Sequence, residues 1–372
     1  MIKNRFKRHP KITLILFSML LLLGLDIILT RGLIFYFGKN FSNKKEIVQK
    51  HEVYHHTFKP LKKAKVWGKS LFTNSLGFKD KENREINLKK SKYRVLFMGD
   101  SFTEGIYLKY EDTFVGMVDS AVGNKSIEIL NGGRSGYSPI IYYTKTKYLL
   151  EINKLEFDEM ILFLDLSDFE NEVRHYELSI DQRVISRNKS NKNLGKDIDK
   201  FFTIKNLKKG IRKNTTVTFH ISNFIRDMIK YEPKKTILTK LNTNFNWDRY
   251  SKKELSEENI EFYKGLSHMK TYMNLLVELL KQHNICLTIA VYPWPAQIYG
   301  EQYEEWTDFW NDWAKENNVN YLDYFPDFID LKDSLTVNEI LKKYYIPNDF
   351  HFNRAGNKML SIKILDQLKQ KL

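Results

Sequence analysis

The chain opens on a long apolar run and then settles into short apolar stretches separated by amphipathic ones. From Ile12 to Leu29 only Thr13, Ser18, Gly24 and Asp26 interrupt the apolar residues. About eighteen such residues in a helix match the thickness of a bilayer's hydrocarbon core. From Arg94 onward the period alternates. Short, largely apolar runs predict buried strands at Val95 to Met98, Ile127 to Leu130, Met160 to Leu166, Cys286 to Tyr292 and Val319 to Asp323. Between them lie helical spacings. Phe114, Met117, Val118, Ala121 and Val122 mark one helix, residues 139–151 a second, and 257–282 a third, with Phe262, Leu266, Met269, Met273, Leu276 and Leu280 near one face. Helices are also predicted at 301–316 and from Arg354 to Lys371. Strands alternating with helices predict an α/β fold, a three-layer αβα arrangement around a central parallel, doubly wound sheet of the flavodoxin-like kind.

Two regions lack this rhythm. Residues 172–258 are rich in Lys and Asn and read as an insertion. Residues 35–90 read as a juxtamembrane linker and entry segment, closing on the turn signal Thr73-Asn-Ser-Leu-Gly-Phe78. His51, His55 and His56 lie in that segment without a carboxylate or cysteine ligand pattern, so they read as solvated linker histidines and no metal is expected. The predicted layout is a tail at 1–11, a transmembrane anchor at 12–34, the linker at 35–90 and the main α/β domain at 91–372. Trp306, Phe309, Trp310 and Trp313 have the spacing of a buried helix face, so core packing is preferred over a sugar platform.

Composition sharpens this picture in three ways. With 372 residues, 42% hydrophobic and 14% aromatic, a sizeable core can form and wholesale disorder is excluded. The net charge is +15. Lys3, Arg5, Lys7, Arg8 and Lys11 precede the apolar run without an acidic residue among them, which orients that end toward the cytoplasm. No small-x-small cleavage site follows, so the run reads as an uncleaved signal anchor. The expected location is the inner membrane, single-pass, with the α/β domain extracytoplasmic or periplasmic. Asp26 would cost about 3 kcal/mol at mid-membrane, and its place late in the run puts it near the outer interface. The remaining basic surface suits anionic polysaccharide or lipid head groups, and nucleic-acid binding is not expected. The single cysteine, Cys286, cannot form an intrachain disulfide and reads as a small buried hydrophobe.

The candidate chemistry sits at the ends of the predicted strands. The first runs into Gly99-Asp100-Ser101, placing a hydroxyl where open α/β sheets bind ligands. Near the chain's end, Pro347-Asn-Asp-Phe-His-Phe-Asn-Arg-Ala-Gly356 sets Asp349 and His351 two apart, just before the last helix. A serine nucleophile needs a base for its proton and an acceptor that orients the imidazole and stabilises imidazolium. An Asp-x-His loop can supply both. No Gly-x-Ser-x-Gly elbow surrounds Ser101, which argues against the α/β-hydrolase fold. No phosphate loop or zinc spacing appears, so no cofactor is expected.

With Asn131-Gly-Gly-Arg-Ser-Gly136 as a second block, the three pieces resemble the SGNH (GDSL-type) serine hydrolases. The likeness spans roughly residues 73–372 apart from the insertion. The Asp-x-His form is similar to that of membrane-associated members and polysaccharide O-acetyltransferases. The resemblance implies Ser101 as nucleophile, His351 as base and Asp349 as its orienter, with the Ser101 and Gly136 N–H groups as oxyanion donors. The family's third block presents an Asn as a further donor. Here Ser167 holds that position in Leu164-Asp-Leu-Ser-Asp168, with Asn171 one helical turn on as a substitute. The implied function is a membrane-anchored serine esterase removing small acyl groups, acetyl above all, from a cell-envelope glycan or lipid. The alternatives are an O-acyltransferase acetylating an envelope polysaccharide and a non-catalytic binding module on the same scaffold.

Overall fold

The computed structural model describes residues 10–38, 47–122, 127–187, 257–300, 304–347, 349–369 and 371. Most of the expected insertion, 188–256, lies outside them, as do residues 1–9 of the tail. The chain divides into two compact units. Helix α1 belongs to one, and every described element from residue 47 onward belongs to the other.

Helix α1 (Pro10–Gly38) runs unbroken through the apolar stretch. Leu14, Phe17, Leu20, Leu22 and Ile28 on it are exposed. Asp26 accepts the Thr30 hydroxyl at 3.0 Å, a bond within its own helix. Taken over the described side chains, no helix is long and apolar enough to cross a membrane.

The second unit begins with β1 (Val48–His51) and β2 (His55–Phe58), an antiparallel pair. Next come β3 (Lys63–Val66), β4 (Lys69–Thr73) and β5 (Lys79–Asp80). The predicted alternation follows: β6 (Tyr93–Met98), α2 (Ser101–Glu104), α3 (Phe114–Val122), β7 (Ile127–Asn131), α4 (Pro139–Lys147), β8 (Glu159–Leu164) and α5 (Leu166–Arg174). A small pair, β9 (Tyr176–Leu178) and β10 (Val184–Ser186), precedes the undescribed segment. After it come α6 (Glu257–Gln282), β11 (Cys286–Val291), α7 (Pro295–Gly300), α8 (Glu304–Asn317), β12 (Asn320–Asp323), α9 (Phe325–Ile329), α10 (Val337–Tyr344) and α11 (Arg354–Lys369).

The central sheet has eight strands in the order β12-β11-β8-β6-β7-β5-β4-β3. The first five are parallel, and their order is that of a doubly wound sheet reversing between β6 and β8. The last three are antiparallel additions on the β7 edge. The sheet is therefore mixed, which corrects the expectation of a purely parallel one. Residues 47–80 are likewise not a linker but sheet and edge of this unit. Their strands are only two to five residues long and mostly Lys-, His- and Thr-bearing, so no apolar run announces them.

Alternation along the strands divides the core. Leu96 and Met98 of β6 face a cluster with α4, α6 and α8. Val95 and Phe97 face the opposite cluster with α3, α10 and α11. On α6, Leu266, Met269, Met273, Leu276 and Leu280 are buried at helical spacing, while the Phe262 side chain lies outside the described residues. Trp306, Trp310 and Trp313 are fully buried, the core packing that their spacing predicts. Cys286 is exposed, not buried: it is the first residue of β11, at the strand's solvent end.

Candidate active site

The first block is shaped by one backbone constraint. Gly99, at φ +155°, ends β6 so close to the next turn that a Cβ would lie 2.2 Å from the Thr103 hydroxyl oxygen. No residue with a side chain fits there. Asp100 then caps α2, its carboxylate accepting the Phe102 N–H at 2.9 Å. Ser101 thus becomes the first residue of α2, at the carboxyl end of β6 and beside the reversal of strand order.

The last block is held as a tight loop. Tyr345 and Phe352 form an antiparallel bridge, and the Ile346 N–H donates to the His351 carbonyl at 2.9 Å. Within the loop the Asp349 carboxylate accepts the His351 backbone N–H at 3.0 Å, and its Oδ1 lies 2.5 Å from His351 Nδ1. His351 Nε2 lies 2.8 Å from Ser101 Oγ. With Nδ1–H given to the carboxylate, Nε2 keeps its lone pair for the serine proton. Burial raises the Asp349 pKa, but the His351 hydrogen bonds and charge outweigh it and hold the carboxyl below its usual range. Ser101 and His351 are both buried. Hydroxyl, imidazole and carboxylate stand in series at the edge of a three-layer α/β sheet, which is the arrangement of a serine hydrolase site.

The turn after β7 lies under the same edge. The Asn131 amide donates to the Thr103 carbonyl at 2.8 Å, tying the second block to the first. Glu104 accepts the Ser135 N–H at 2.7 Å and pairs with the Arg134 guanidinium, both side chains buried. Lys145, fully buried, donates to the Gly132 carbonyl at 2.7 Å from beneath. Its desolvation, with Arg134 nearby, holds its pKa well below the usual lysine value. Gly136 adopts a left-handed φ of +84°. Among the described residues neither its N–H nor that of Ser101 is given to a backbone acceptor.

The Gly136 turn is also gripped from outside. Tyr176 donates its hydroxyl to the Gly136 carbonyl at 2.7 Å. His56 Nε2 donates to the Ser135 carbonyl at 2.9 Å. That bond makes His56 Nδ1 the acceptor toward His55 Nδ1, 2.8 Å away. Burial lowers the His56 pKa to about 4, which favours this neutral form. His51 stacks on Tyr54 with ring centroids 3.5 Å apart. These histidines are therefore half-buried structural groups, not solvated linker residues. Tyr176→Phe should remove one anchor of the turn and lower kcat on an aryl acetate by roughly tenfold, the worth of about one good hydrogen bond. KM should change little, and steady-state kinetics at constant pH check this.

Behind the nucleophile lies a cluster of carboxylates. Asp100 Oδ2 lies 3.0 Å from Ser101 Oγ, whose proton faces His351, and accepts the Ser167 hydroxyl at 2.8 Å. Ser167 also lies 2.7 Å from Asp165 Oδ1. Ser167, expected as a third oxyanion donor, thus has its one proton engaged between two carboxylates. Asn171 is half-buried on α5, and its backbone carbonyl accepts the His175 N–H. Burial, and then the Asp100 charge, push the Asp165 carboxyl up to about 7. Asp168, bonded by the Tyr142 hydroxyl at 2.6 Å, is raised well above its usual value by burial and by Asp165. Asp100 and Glu104 fall inside the first block, and Asp165, Ser167 and Asp168 inside the stretch set against the third, but nothing in the sequence marks these carboxylates as buried together.

Glu172 gives the site a pH-dependent support. Its Oε2 accepts the Ser138 hydroxyl at 2.8 Å and the Ile140 N–H at 3.1 Å, and burial pushes its pKa up to about 7. The folded state therefore holds a proton that the unfolded state releases between pH 4.5 and 7. Its stabilising contribution is complete below about pH 4.5 and is lost as pH rises through 7. Glu172→Gln keeps an oxygen for both donors. It should match the wild type at pH 5 and melt several degrees higher at pH 8, as thermal melts across that range will show.

No protein-family model matches the chain, and no curated protein matches it. Solved structures do. The chain is similar to the psychrotrophic esterase EstA from Pseudoalteromonas, at 13% identity and a TM-score of 0.38, covering 75% of this chain and 98% of that one. It is similar to Axe2, an acetylxylan esterase from Geobacillus stearothermophilus, at 12% identity and a TM-score of 0.41, covering 76% and 96%. It is also similar to the acetyl xylan esterase AlAXEase, at 13% identity and a TM-score of 0.41, covering 74% and 99%. At such values the likeness carries no argument about the site, whose reading rests on its own geometry.

Proposed function

We propose that the chain is a serine esterase of the SGNH type that removes small acyl groups, acetyl in particular, from a cell-envelope glycan. The observation that carries this reading is the Ser101–His351–Asp349 series, with both links at hydrogen-bond distance. Ser101 Oγ attacks the ester carbonyl while its proton passes to His351 Nε2. Asp349 stabilises the imidazolium, and the Ser101 and Gly136 N–H groups bind the oxyanion. Collapse expels the sugar oxygen, which takes the proton back from His351, and leaves acyl-Ser101. Water, deprotonated by His351, then attacks the acyl group and regenerates Ser101 with release of the acid. An oxyanion hole of two backbone donors supports this chemistry without the Ser167 hydroxyl.

The membrane reading belongs to the same proposal. The apolar Ile12 to Leu29 run, its basic flank and the continuous 29-residue α1 support a single-pass anchor of the inner membrane with the catalytic unit outside the cytoplasm. A fluorophosphonate probe should label the detergent-solubilised wild type and spare Ser101→Ala. Acetate should be released from an acetylated polysaccharide at the same time. A folded wild type that takes no label and releases no acetate would overturn the enzyme reading.

A further inference from the structure

The β3–β4 hairpin brings two aromatic residues of unusual backbone together beside the triad. Val66 pairs with Lys69, so Trp67 and Gly68 form a two-residue loop, and both have positive φ, +50° and +75°. This is the type I′ turn, whose first position ordinarily takes Asn, Asp or Gly. A tryptophan in that conformation is strained. The ring it holds lies on Tyr107, with centroids 4.6 Å apart. Tyr107 is itself left-handed, at φ +64°. Buried Lys79 imposes that conformation by donating to the Gly105 and Leu108 carbonyls at 2.8 Å each, on either side of Tyr107.

Two strained aromatics in contact is an arrangement found at functional sites, and this one adjoins the catalytic residues. The Tyr107 ring stands edge-on to His351, with centroids 6.0 Å apart. Trp67 rests with one side on the small cluster of Ile47, Phe58, Val66 and Leu71, and Tyr107 is hydrogen-bonded to Asp349, yet both stay half-buried. The hairpin's exposed charges have one sign. Lys62, Lys63, Lys65 and Lys69 are exposed, and no acidic residue occurs between Glu52 and Asp80. Aromatic faces stack on the C–H faces of sugar rings, and clustered ammonium groups attract carboxylates or phosphates.

We propose that Trp67, Tyr107 and the lysines of this hairpin form a binding subsite for an anionic polysaccharide. The subsite presents one sugar of the strand beside the triad, so that an ester on it or its neighbour reaches Ser101. The second clause rests on the esterase reading; the binding of the polymer does not.

The test separates the two. The full chain carrying Ser101→Ala, in phosphatidylcholine nanodiscs, is titrated into fluorescently labelled polygalacturonate and, separately, labelled neutral xylan. Binding should favour polygalacturonate at least tenfold and weaken with added salt. Adding Trp67→Gly, which suits the left-handed turn and so leaves the hairpin foldable, should weaken polygalacturonate binding at least tenfold. An unchanged melting temperature confirms that variant's fold. Equal binding by the two chains, equal affinity for the two polymers, or no binding would overturn the subsite, whatever the outcome of fluorophosphonate labelling. Nanodiscs of brominated phosphatidylglycerol supply the remaining arm. They should quench tryptophan emission equally with and without Trp67, and an extra quenched component in the Trp67-bearing chain would assign the hairpin to lipid and overturn the proposal.

Discussion

Replacing Ser101 by Ala is expected to lower kcat for an aryl acetate by a factor on the order of 10⁴ or more, with little change in melting temperature. The reaction needs an oxygen nucleophile at the His351 Nε2, and no other hydroxyl is bonded to that nitrogen among the described residues. The small effect on stability follows from the same site. Asp100 Oδ2 is only a 3.0 Å neighbour of Ser101 Oγ, and Asp100 keeps the Ser167 donor and the Phe102 N–H after the substitution. The carboxylate is therefore not orphaned. Initial-rate assays beside a thermal melt check both halves. Residual activity within a hundredfold of the wild type would remove Ser101 from the mechanism.

Arg134→Ala is expected to have the largest effect on stability, about 3–5 kcal/mol, because it breaks a buried ion pair from one side. A typical point substitution costs about 1 kcal/mol. The Arg134 and Glu104 side chains are 4% and 2% exposed, so water cannot replace the lost partner. The guanidinium also lies over the Phe58 ring at 4.2 Å and would leave a space there. Glu104 would retain the Ser135 N–H, with Lys79 as a neighbouring cation. Activity should fall alongside, since Glu104 holds the Ser135 N–H next to Gly136, the oxyanion donor of the proposed mechanism. Urea denaturation should show a lower midpoint with an unchanged slope. Arg134→Lys, which keeps the charge but not the planar fork, should recover part of the loss.

The parallel core was readable because its central strands, β6 and β8, are nearly continuous apolar runs ending in turn signals. Val95 to Met98 and Met160 to Leu164 are buried on both faces, and only such strands look like that in sequence. Likewise Ser101, Asp349 and His351 stood inside blocks whose order along the chain matched a known arrangement. What surrounds them was not readable. Lys79, Lys145 and Arg134 are buried cations, and a lysine or arginine in sequence carries no sign of the carbonyls that will enclose it. His56 and Tyr176 meet the Gly136 turn from 80 residues before it and 40 after it, through no shared motif. The strands from 48 to 80 escaped notice because they are short and bear polar residues on at least one face. Cys286 was misplaced for the reason that a strand's first residue can match its apolar neighbours yet sit where the strand emerges.

The three antiparallel strands beyond β7 have a consequence for how much of the chain is needed to keep it folded and soluble. They extend the sheet past β7, which β5 meets at the Lys79–Asn131 pair, so a shortened form beginning at residue 91 would open that end of β7 and strip Phe78 from the core. Such an open rim invites chain-to-chain pairing. The smallest well-behaved fragment should therefore begin ahead of residue 47, leaving only the apolar helix and its approach to be removed.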